Sequence, residues 1–244
     1  MLLTIDVGNS RIKVAVFEHN KQLDFSIFES HEALKNFENI FEKYSNLQKI
    51  ILSSVGKLEK EVIDYIQNRF PTEIIDHKSK FPFTNLYTTP ETLGIDRMVL
   101  SAGATLMYPN QNRLIIDAGT CITYDFVNAE NQYLGGAISP GIKIRYKSLN
   151  DYTSKLPLLS TNDDFKIIGN STKTSIHSGV INGVIFEIEG FISQYSLKNQ
   201  DLTIILTGGD AEFLAKRLKS TIFANSNFLL ESLNLLSLYT QKND

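Results

Sequence analysis

The chain has 244 residues, of which 42% are hydrophobic and 21% charged, so it is long enough for one large globular domain or two small ones. Its net charge of −3 gives no electrostatic footprint for nucleic acid, which favours small-molecule partners. The single cysteine, Cys121, excludes an internal disulfide framework and a cysteine-rich zinc site.

No targeting or membrane segment is predicted. The N-terminus lacks a basic region, and Asp6 interrupts its first apolar run. No stretch approaches the roughly 18 consecutive apolar residues that a membrane span requires. We therefore expect a cytoplasmic protein with no contact to membrane or nucleic acid.

Three short strands joined by tight turns are predicted at the start of the chain. The apolar run from Leu2 to Ile5 leads into the turn Asp6-Val7-Gly8-Asn9-Ser10. Further strands are predicted from Lys13 to Phe17 and from Phe25 to Phe28, after a polar bend.

The same pattern returns in the second half of the chain. The apolar run from Leu114 to Ile116 leads into Asp117-Ala118-Gly119-Thr120-Cys121, followed by predicted strands over 122–127 and about 134–138. A constant separation of 111 positions relates the two copies. It pairs Asp6 with Asp117, Gly8 with Gly119, Val16 with Val127 and Leu23 with Leu134. Two such copies indicate a duplicated fold.

Strands alternate with helices along the rest of the chain, which predicts an α/β fold in two halves, 1–110 and 111–244. Helices are predicted over 31–45, 59–70, 93–107, 211–218 and about 229–239, and strands over 49–55 and 202–206. Ser171 or Thr172 is expected to cap a long helix that reaches about Tyr195. Its predicted buried face comprises Ile176, Val180, Val184, Ile188 and Phe191.

The two glycine turns are suited to bind a nucleoside triphosphate. Backbone N–H groups at a glycine turn approach phosphate oxygens closely, and the aspartate that ends each strand can hold a hydrated Mg²⁺. Lys13 is placed to reach a phosphate. A third turn, Thr207-Gly208-Gly209-Asp210-Ala211, joins a strand to a helix and suits an adenosine. Neither G-x-x-x-x-G-K-[ST] nor G-x-G-x-x-G is present, so the paired turns are the predicted ATP site.

Six motifs in order resemble those of the type III pantothenate kinases, within the actin, sugar-kinase and heat-shock-chaperone superfamily. They are D-x-G-N-[ST]-x-x-K at 6–13, G-x-D-R at 94–97, D-x-G-T-x-x-T at 117–123, G-G-x-I-x-P-G at 135–141, G-x-[ST]-T at 169–172 and T-G-G-D-A at 207–211. The resemblance implies a duplicated actin-like (ribonuclease-H-like) fold. It also implies ATP-dependent phosphorylation of pantothenate, the first step of coenzyme A biosynthesis.

The resemblance also assigns roles to residues. Asp96 is the implied general base, and Thr172 is expected from the partner subunit of a homodimer with a shared active site. The implied pantothenate contacts are Tyr87, Gly94, Ile95, Asp96, Arg97 and Thr172. The implied ATP contacts are Asp6, Val7, Gly8, Asn9, Ser10, Arg11, Ile12, Lys13, Thr120, Gly208 and Gly209. Asp6 would hold Mg²⁺ through water, and Asp117 a potassium or ammonium ion.

The residues themselves support Asp96-Arg97 as an acceptor site, because a neighbouring arginine favours an ionised base. They leave open whether Arg97 holds the pantothenate carboxylate or the transferred phosphoryl group. Cys121 is interpreted as a small buried filler. Gly179 and Gly183 indicate either a dimer interface or core packing, and Ser232 stands where the family often has glycine.

Two alternatives remain at this stage. One is a related small sugar or polyol kinase, although such enzymes usually have longer chains. The other is a non-catalytic nucleotide-binding regulator, which would not need the acceptor base Asp96.

Overall fold

The computed structural model describes residues 1–8, 11–53, 58–163 and 165–243. For residue 243 it describes the backbone only. Asn9 and Ser10, both predicted ATP contacts, lie outside the described residues. The chain forms two compact units, 1–107 with 227–244, and 108–226. The sequence placed the C-terminal helix with the second half, whereas the structure packs it in the first unit.

The first unit is built on a five-stranded sheet with helices packed against it. Its strands are β1 (Leu2–Val7), β2 (Ile12–Glu18), β3 (Lys21–Phe28), β4 (Lys49–Leu52) and β5 (Thr72–Ile74), in the order β3-β2-β1-β4-β5. Its helices are α1 (Ala33–Lys43), α2 (Lys60–Gln67) and α3 (Ile95–Met107), and a two-residue strand β6 (Thr84–Asn85) precedes α3. Strands β1, β4 and β5 run parallel, whereas β1, β2 and β3 form antiparallel hairpins.

The second unit repeats this arrangement. Its strands are β7 (Asn112–Ala118), β8 (Cys121–Val127), β9 (Gln132–Pro140), β10 (Leu202–Thr207) and β11 (Phe223–Ala224), and within the unit they follow the order β9-β8-β7-β10-β11. Its helices are α4 (Ile142–Asp151), α5 (Thr172–His177), α6 (Gly183–Lys198) and α7 (Ala211–Ala215). The shared strand order confirms the predicted α/β fold and its duplication.

Strand registers refine the predicted repeat. Leu3 pairs with Val16 in the first unit, and Leu114 pairs with Phe126 in the second. The equivalent of Val16 is therefore Phe126, not Val127 as the constant separation predicted. Both units also carry a register shift next to these residues, after Val16 and after Phe126. The separation between equivalent residues of β2 and β8 is one position less than in β1 and β7, because the second turn is one residue shorter.

The long helical segment of the second unit begins as predicted and then departs from regular geometry. The Ser171 hydroxyl accepts a hydrogen bond from the backbone N–H of Thr174 at 3.2 Å, which caps α5. A π-helical segment, Ser178–Asn182, joins α5 to α6. Ile176, Val180, Val184 and Ile188 are buried in the unit's own core, so this face cannot serve a partner chain.

The C-terminal helix α8 (Phe228–Asn243) lies close against α3 in the first unit. An ideal β-carbon on Gly103 of α3 would stand 2.0 Å from the hydroxyl of Ser232, which is fully buried. The Ser232 hydroxyl donates to the carbonyl of Phe228 at 2.7 Å. Gly103 on the opposite helix therefore provides the space that Ser232 occupies. Among the described helices, none combines the length and apolar character needed to cross a membrane.

Candidate active site

The carboxylate of Asp6 stands at the carboxyl end of β1, facing Lys13 of the adjacent strand β2. The Ser53 hydroxyl donates a hydrogen bond to Asp6 Oδ1 at 3.2 Å. Burial raises the pKa of Asp6 and the nearby charge of Asp96 adds to the rise, whereas Lys13 and Ser53 oppose it. Because Asp6 is desolvated, its ionised form gains strongly from a bound cation.

Asp96 is the second residue of α3, and its side chain is exposed. Its Oδ1 accepts a hydrogen bond from the backbone N–H of Arg97 at 2.8 Å. An ideal β-carbon on Gly94 would stand 2.4 Å from the same oxygen, so the observed orientation of Asp96 requires glycine at position 94. The local backbone thus holds one carboxylate oxygen and leaves the other for a ligand.

Arg97 is buried beside Tyr87 in the same unit. Only 6% of Arg97 is exposed, and its guanidinium carbon lies 5.9 Å from the centre of the Tyr87 ring. That distance is at the outer limit of a cation–π contact. The structure therefore brings the predicted pantothenate residues Tyr87, Gly94, Asp96 and Arg97 together. The side chain of Ile95 packs toward the core, so only its backbone is available to a substrate.

The predicted ATP contacts of the first turn are divided between backbone and side chain. The N–H of Gly8 donates to the carbonyl of Arg11 at 3.1 Å, which joins the end of β1 to the start of β2. Ile12 is completely buried, so only its backbone remains for a nucleotide. Val7 ends β1, and the side chain of Arg11 is exposed.

In the second unit the turn after β7 is packed against the start of α4. The N–H of Gly119 donates to the carbonyl of Cys121 at 3.0 Å, and the N–H of Gly141 donates to the carbonyl of Thr120 at 3.0 Å. An ideal β-carbon on Gly141 would stand 2.3 Å from the Gly119 carbonyl oxygen. This contact explains why glycine precedes α4.

The predicted adenosine turn, residues 207–211, packs against the turn that follows β7. Gly208 has a φ of 94°, and an ideal β-carbon there would stand 2.3 Å from Asp117 Oδ1. The N–H of Asp210 donates to the carbonyl of Ala118 at 3.0 Å. The structure thus brings Gly208 and Gly209 together with Asp117, and Thr120 is exposed nearby. Thr172, the first residue of α5, is exposed at the end of its helix.

Cys121 corrects one prediction, because it is exposed rather than buried. It begins β8, where side chains alternate between faces, and its neighbour Ile122 takes the core position with 1% exposure. The sequence also missed Ser53 as a partner of Asp6. A strand is predicted through this position, but the parallel pairing of β4 with β1 that brings Ser53 to Asp6 is seen only in the structure.

Solved structures share this fold across the whole chain. A Campylobacter jejuni protein described as a conserved putative Baf family transcriptional activator has a TM-score of 0.63 at 21% identity, covering 98% of this chain and 99% of that one. A putative N-acetylmannosamine kinase from Listeria monocytogenes has a TM-score of 0.54 at 12% identity, covering 100% and 99%. At these identities the likeness shows the fold alone, a duplicated actin-like fold.

Sequence comparison identifies the family. The family model for type III pantothenate kinase matches residues 2–194. The type III pantothenate kinase of Flavobacterium johnsoniae is 54% identical over 244 residues, covering 100% of both chains. That of Flavobacterium psychrophilum is 56% identical over 239 residues, covering 98% of this chain and 99% of the relative. The chain belongs to the type III pantothenate kinase family, and pantothenate phosphorylation in coenzyme A biosynthesis is its activity.

Proposed function

We propose that Asp96 is the general base that takes the proton from the pantothenate hydroxyl as it attacks the γ-phosphoryl group of ATP. The observation that carries this proposal is the exposed Asp96 carboxylate, held by the Arg97 N–H at 2.8 Å beside the buried Arg97 guanidinium. A backbone hydrogen bond to one oxygen fixes the direction of the carboxylate. A general base must be positioned within reach of the proton that it takes.

The buried guanidinium of Arg97 would complete the acceptor site. Pantothenate carries a carboxylate, and a guanidinium binds a carboxylate or a phosphoryl group with two parallel hydrogen bonds. Because the Arg97 side chain is buried next to Tyr87, packing restricts its motion before the substrate arrives. This preorganisation lowers the entropic cost of binding. Tyr87 and the backbone of Gly94 and Ile95 would form the rest of the pocket.

The two glycine turns would bind the ATP phosphates, with backbone N–H groups and Lys13 as donors, and Gly208 and Gly209 would lie against the adenosine. Transfer of the phosphoryl group depends mainly on positioning and charge stabilisation. The first turn as proposed includes Asn9 and Ser10.

A kinase of this family needs a divalent metal, and we propose Mg²⁺ held at Asp6 through water. Among the described residues, no group of three or more histidine, cysteine, aspartate or glutamate side chains could hold a metal ion. The donor set nevertheless fits Mg²⁺, which keeps several waters and uses one or two carboxylates together with substrate phosphates. When bound, Mg²⁺ neutralises negative charge on the phosphates. The desolvated Asp6 carboxylate provides the matching negative charge.

We propose that Asp117 helps to bind a monovalent cation, potassium or ammonium. Asp117 stands at the end of β7, in contact with the adenosine turn through Gly208. A cation at this position would offset the charge of the carboxylate where the phosphates are expected to lie.

We propose a homodimer in which Thr172 reaches the partner's active site. The support is a stripe on the uncovered side of the helical segment, defined by Gly179, Gly183, Phe186 and Gly190. An ideal β-carbon on Gly179 or Gly190 would meet no atom of the described residues within 4 Å, so contacts with that part of the chain do not explain these glycines. Phe186 is 60% exposed beside them. A second copy packed closely on this stripe would account for both features.

Two exposed apolar side chains also precede Thr172. Ile167 and Ile168 are 64% and 79% exposed, and they precede Thr172 by only a few residues. Exposed apolar side chains of this size indicate a surface that another chain covers. This location supports a partner contact next to Thr172. The proposed site of action is the cytoplasm, where ATP is available.

The choice of pantothenate as the acceptor is tested by measuring ADP release by the purified protein with and without pantothenate, and Asp96 as the base is tested by the turnover of Asp96→Asn. Release that depends on pantothenate, with 4′-phosphopantothenate as product, supports it. A panel of sugars and polyols provides the control for acceptor choice. ADP release that is unchanged by pantothenate would contradict the proposal.

A further inference from the structure

A long segment joins β5 to α3, the helix that carries Asp96 and Arg97, and contains two residues of the proposed pantothenate site. Tyr87 lies within this segment, and Gly94 lies at its end. Short local turns organise its two ends. At one end Asp76 Oδ1 accepts hydrogen bonds from the N–H of Lys78 at 2.8 Å and from the hydroxyl of Ser79 at 3.2 Å.

The imidazole of His77 joins these two ends directly. Its Nε2 lies 2.9 Å from the carbonyl oxygen of Leu93, sixteen positions along the chain. Because a carbonyl oxygen only accepts, Nε2 carries the proton in this contact. The hydrogen bond closes a loop that contains Tyr87 and ends one residue before Gly94.

We infer that His77 is a positioning residue for the pantothenate site, acting through its hydrogen bond to Leu93. The inference rests on the proposed roles of Asp96, Arg97 and Tyr87. His77 itself contacts neither the reacting atoms nor the substrate in this account. The hydrogen bond from His77 fixes the direction of the peptide group between Leu93 and Gly94, which precedes Asp96 and Arg97.

The geometry explains why one hydrogen bond matters here. The Leu93 side chain is 1% exposed, so packing holds that side chain, while the hydrogen bond to His77 holds the carbonyl. Gly94 follows, and its carbonyl accepts the N–H of Met98 at 3.2 Å in the first turn of α3. The peptide between Leu93 and Gly94 is therefore the joint between the 77–93 loop and the helix that carries Asp96. Loss of the bond therefore permits rotation at the base of the segment. Small displacements of a catalytic group lower reaction rates strongly.

Loss of the His77 hydrogen bond should change the kinetic constants for pantothenate and not those for ATP. Asp6 and Lys13 stand on β1 and β2 and have no described hydrogen bond to the 77–93 loop. His77→Leu should raise KM for pantothenate and lower kcat/KM for pantothenate by about threefold to tenfold, the scale of one hydrogen bond. KM for ATP should change less than twofold. Glutamine has a side-chain amide at similar reach, so His77→Gln should restore most of the loss.

The control is His31→Leu, which removes an exposed histidine in the same unit. The inference is overturned if His77→Leu behaves like His31→Leu. It is also overturned if both KM values and the melting temperature change together and His77→Gln gives no rescue, because that outcome indicates a merely structural role. Asp96→Asn is measured in the same series. Near-normal turnover by that variant defeats the proposed function, whereas an inactive Asp96→Asn with a normal His77→Leu defeats this inference alone.

Discussion

The carboxylate of Asp96 occupies the space that a side chain on Gly94 would need, since an ideal β-carbon on Gly94 would stand 2.4 Å from Asp96 Oδ1. That distance is too short for any real contact. A glycine two residues before the proposed base is therefore a steric requirement of the base's orientation. The same oxygen accepts the Arg97 N–H, so a displaced carboxylate would lose this bond.

Gly94→Ala should consequently lower kcat while leaving the fold intact. The alanine methyl group must push Asp96 away from its hydrogen bond, and a misplaced catalytic group costs on the order of 10²-fold in rate. Steady-state kinetics with saturating pantothenate measure the effect. Glu91→Ala, an exposed change in the same segment, is the matched control. Equal turnover by the two variants would refute the steric account.

The proposed cation site predicts a response to salt. Activity should be low in sodium and should rise when potassium or ammonium replaces it at the same ionic strength, and Asp117→Asn should weaken that rise. The reason is that the amide has no charge to balance the cation. Identical rates of the unaltered protein in sodium and potassium would exclude the site.

The folding free energy should depend on pH through Glu187 of α6. Burial acts to raise the pKa of Glu187, but hydrogen bonds from Arg145, Ser139 and Tyr124 outweigh it and hold the pKa below its usual range. The Arg145 and Ser139 contacts are each 2.5 Å long, and the Tyr124 contact is 2.9 Å. A depressed carboxylate pKa contributes stability above the pKa of the unfolded chain and loses it as the pH falls through the folded value.

Thermal unfolding between neutral and acidic pH tests this expectation. The melting temperature should fall on acidification, and Glu187→Gln should reduce that fall while costing about 1–3 kcal/mol near neutral pH. Glu212→Gln, at an exposed position of α7, should leave the profile unchanged. A Glu187→Gln profile that parallels the unaltered protein would show that the network contributes no pH dependence.

The shared active site predicts complementation between two inactive variants. Asp96→Asn and Thr172→Arg are unfolded and refolded together, after each alone is shown to be folded and dimeric. Random pairing makes about half of the dimers mixed, each with one intact site of two, so roughly a quarter of normal activity should return. No recovery, with mixed dimers present, would contradict the shared site.

The proposed dimer surface has its own test. Phe186→Glu places a charge in the middle of the glycine stripe and should convert the dimer to a folded monomer, measured by light scattering and circular dichroism. Ser196→Glu adds the same charge at another exposed position of α6 and should leave the dimer intact. A dimer that survives Phe186→Glu would place the interface elsewhere.

Much of the fold was predictable because the turns and strands carry strong local signals. The two Asp-x-Gly turns, each between apolar strands, predicted both hairpins and the duplication. The exact register was not predictable, because the two turns differ by one residue in length. A constant separation of 111 positions cannot represent that difference. This is why Val127 was paired with Val16 in place of Phe126.

The outward face of α6, the placement of α8 and two long-range contacts depend on tertiary packing and were not predictable from local sequence patterns. The apolar face of α6 is filled by the unit's own core, and the stripe with Phe186 and three glycines faces outward. The leucine-rich helix α8 shows no preference in sequence for either unit, and its contact with Gly103 of α3 depends on distant residues. Contacts such as Ser53 with Asp6 and His77 with Leu93 likewise join segments that are far apart in sequence.

The most direct test of the account is the turnover of Asp96→Asn with ATP, Mg²⁺ and saturating pantothenate. The amide keeps the shape of the side chain and removes the base, so kcat should fall by about 10²–10⁴-fold. Pantothenate binding, measured by calorimetry, should persist because Arg97 and Tyr87 remain. Turnover close to that of the unaltered protein would contradict Asp96 as the general base.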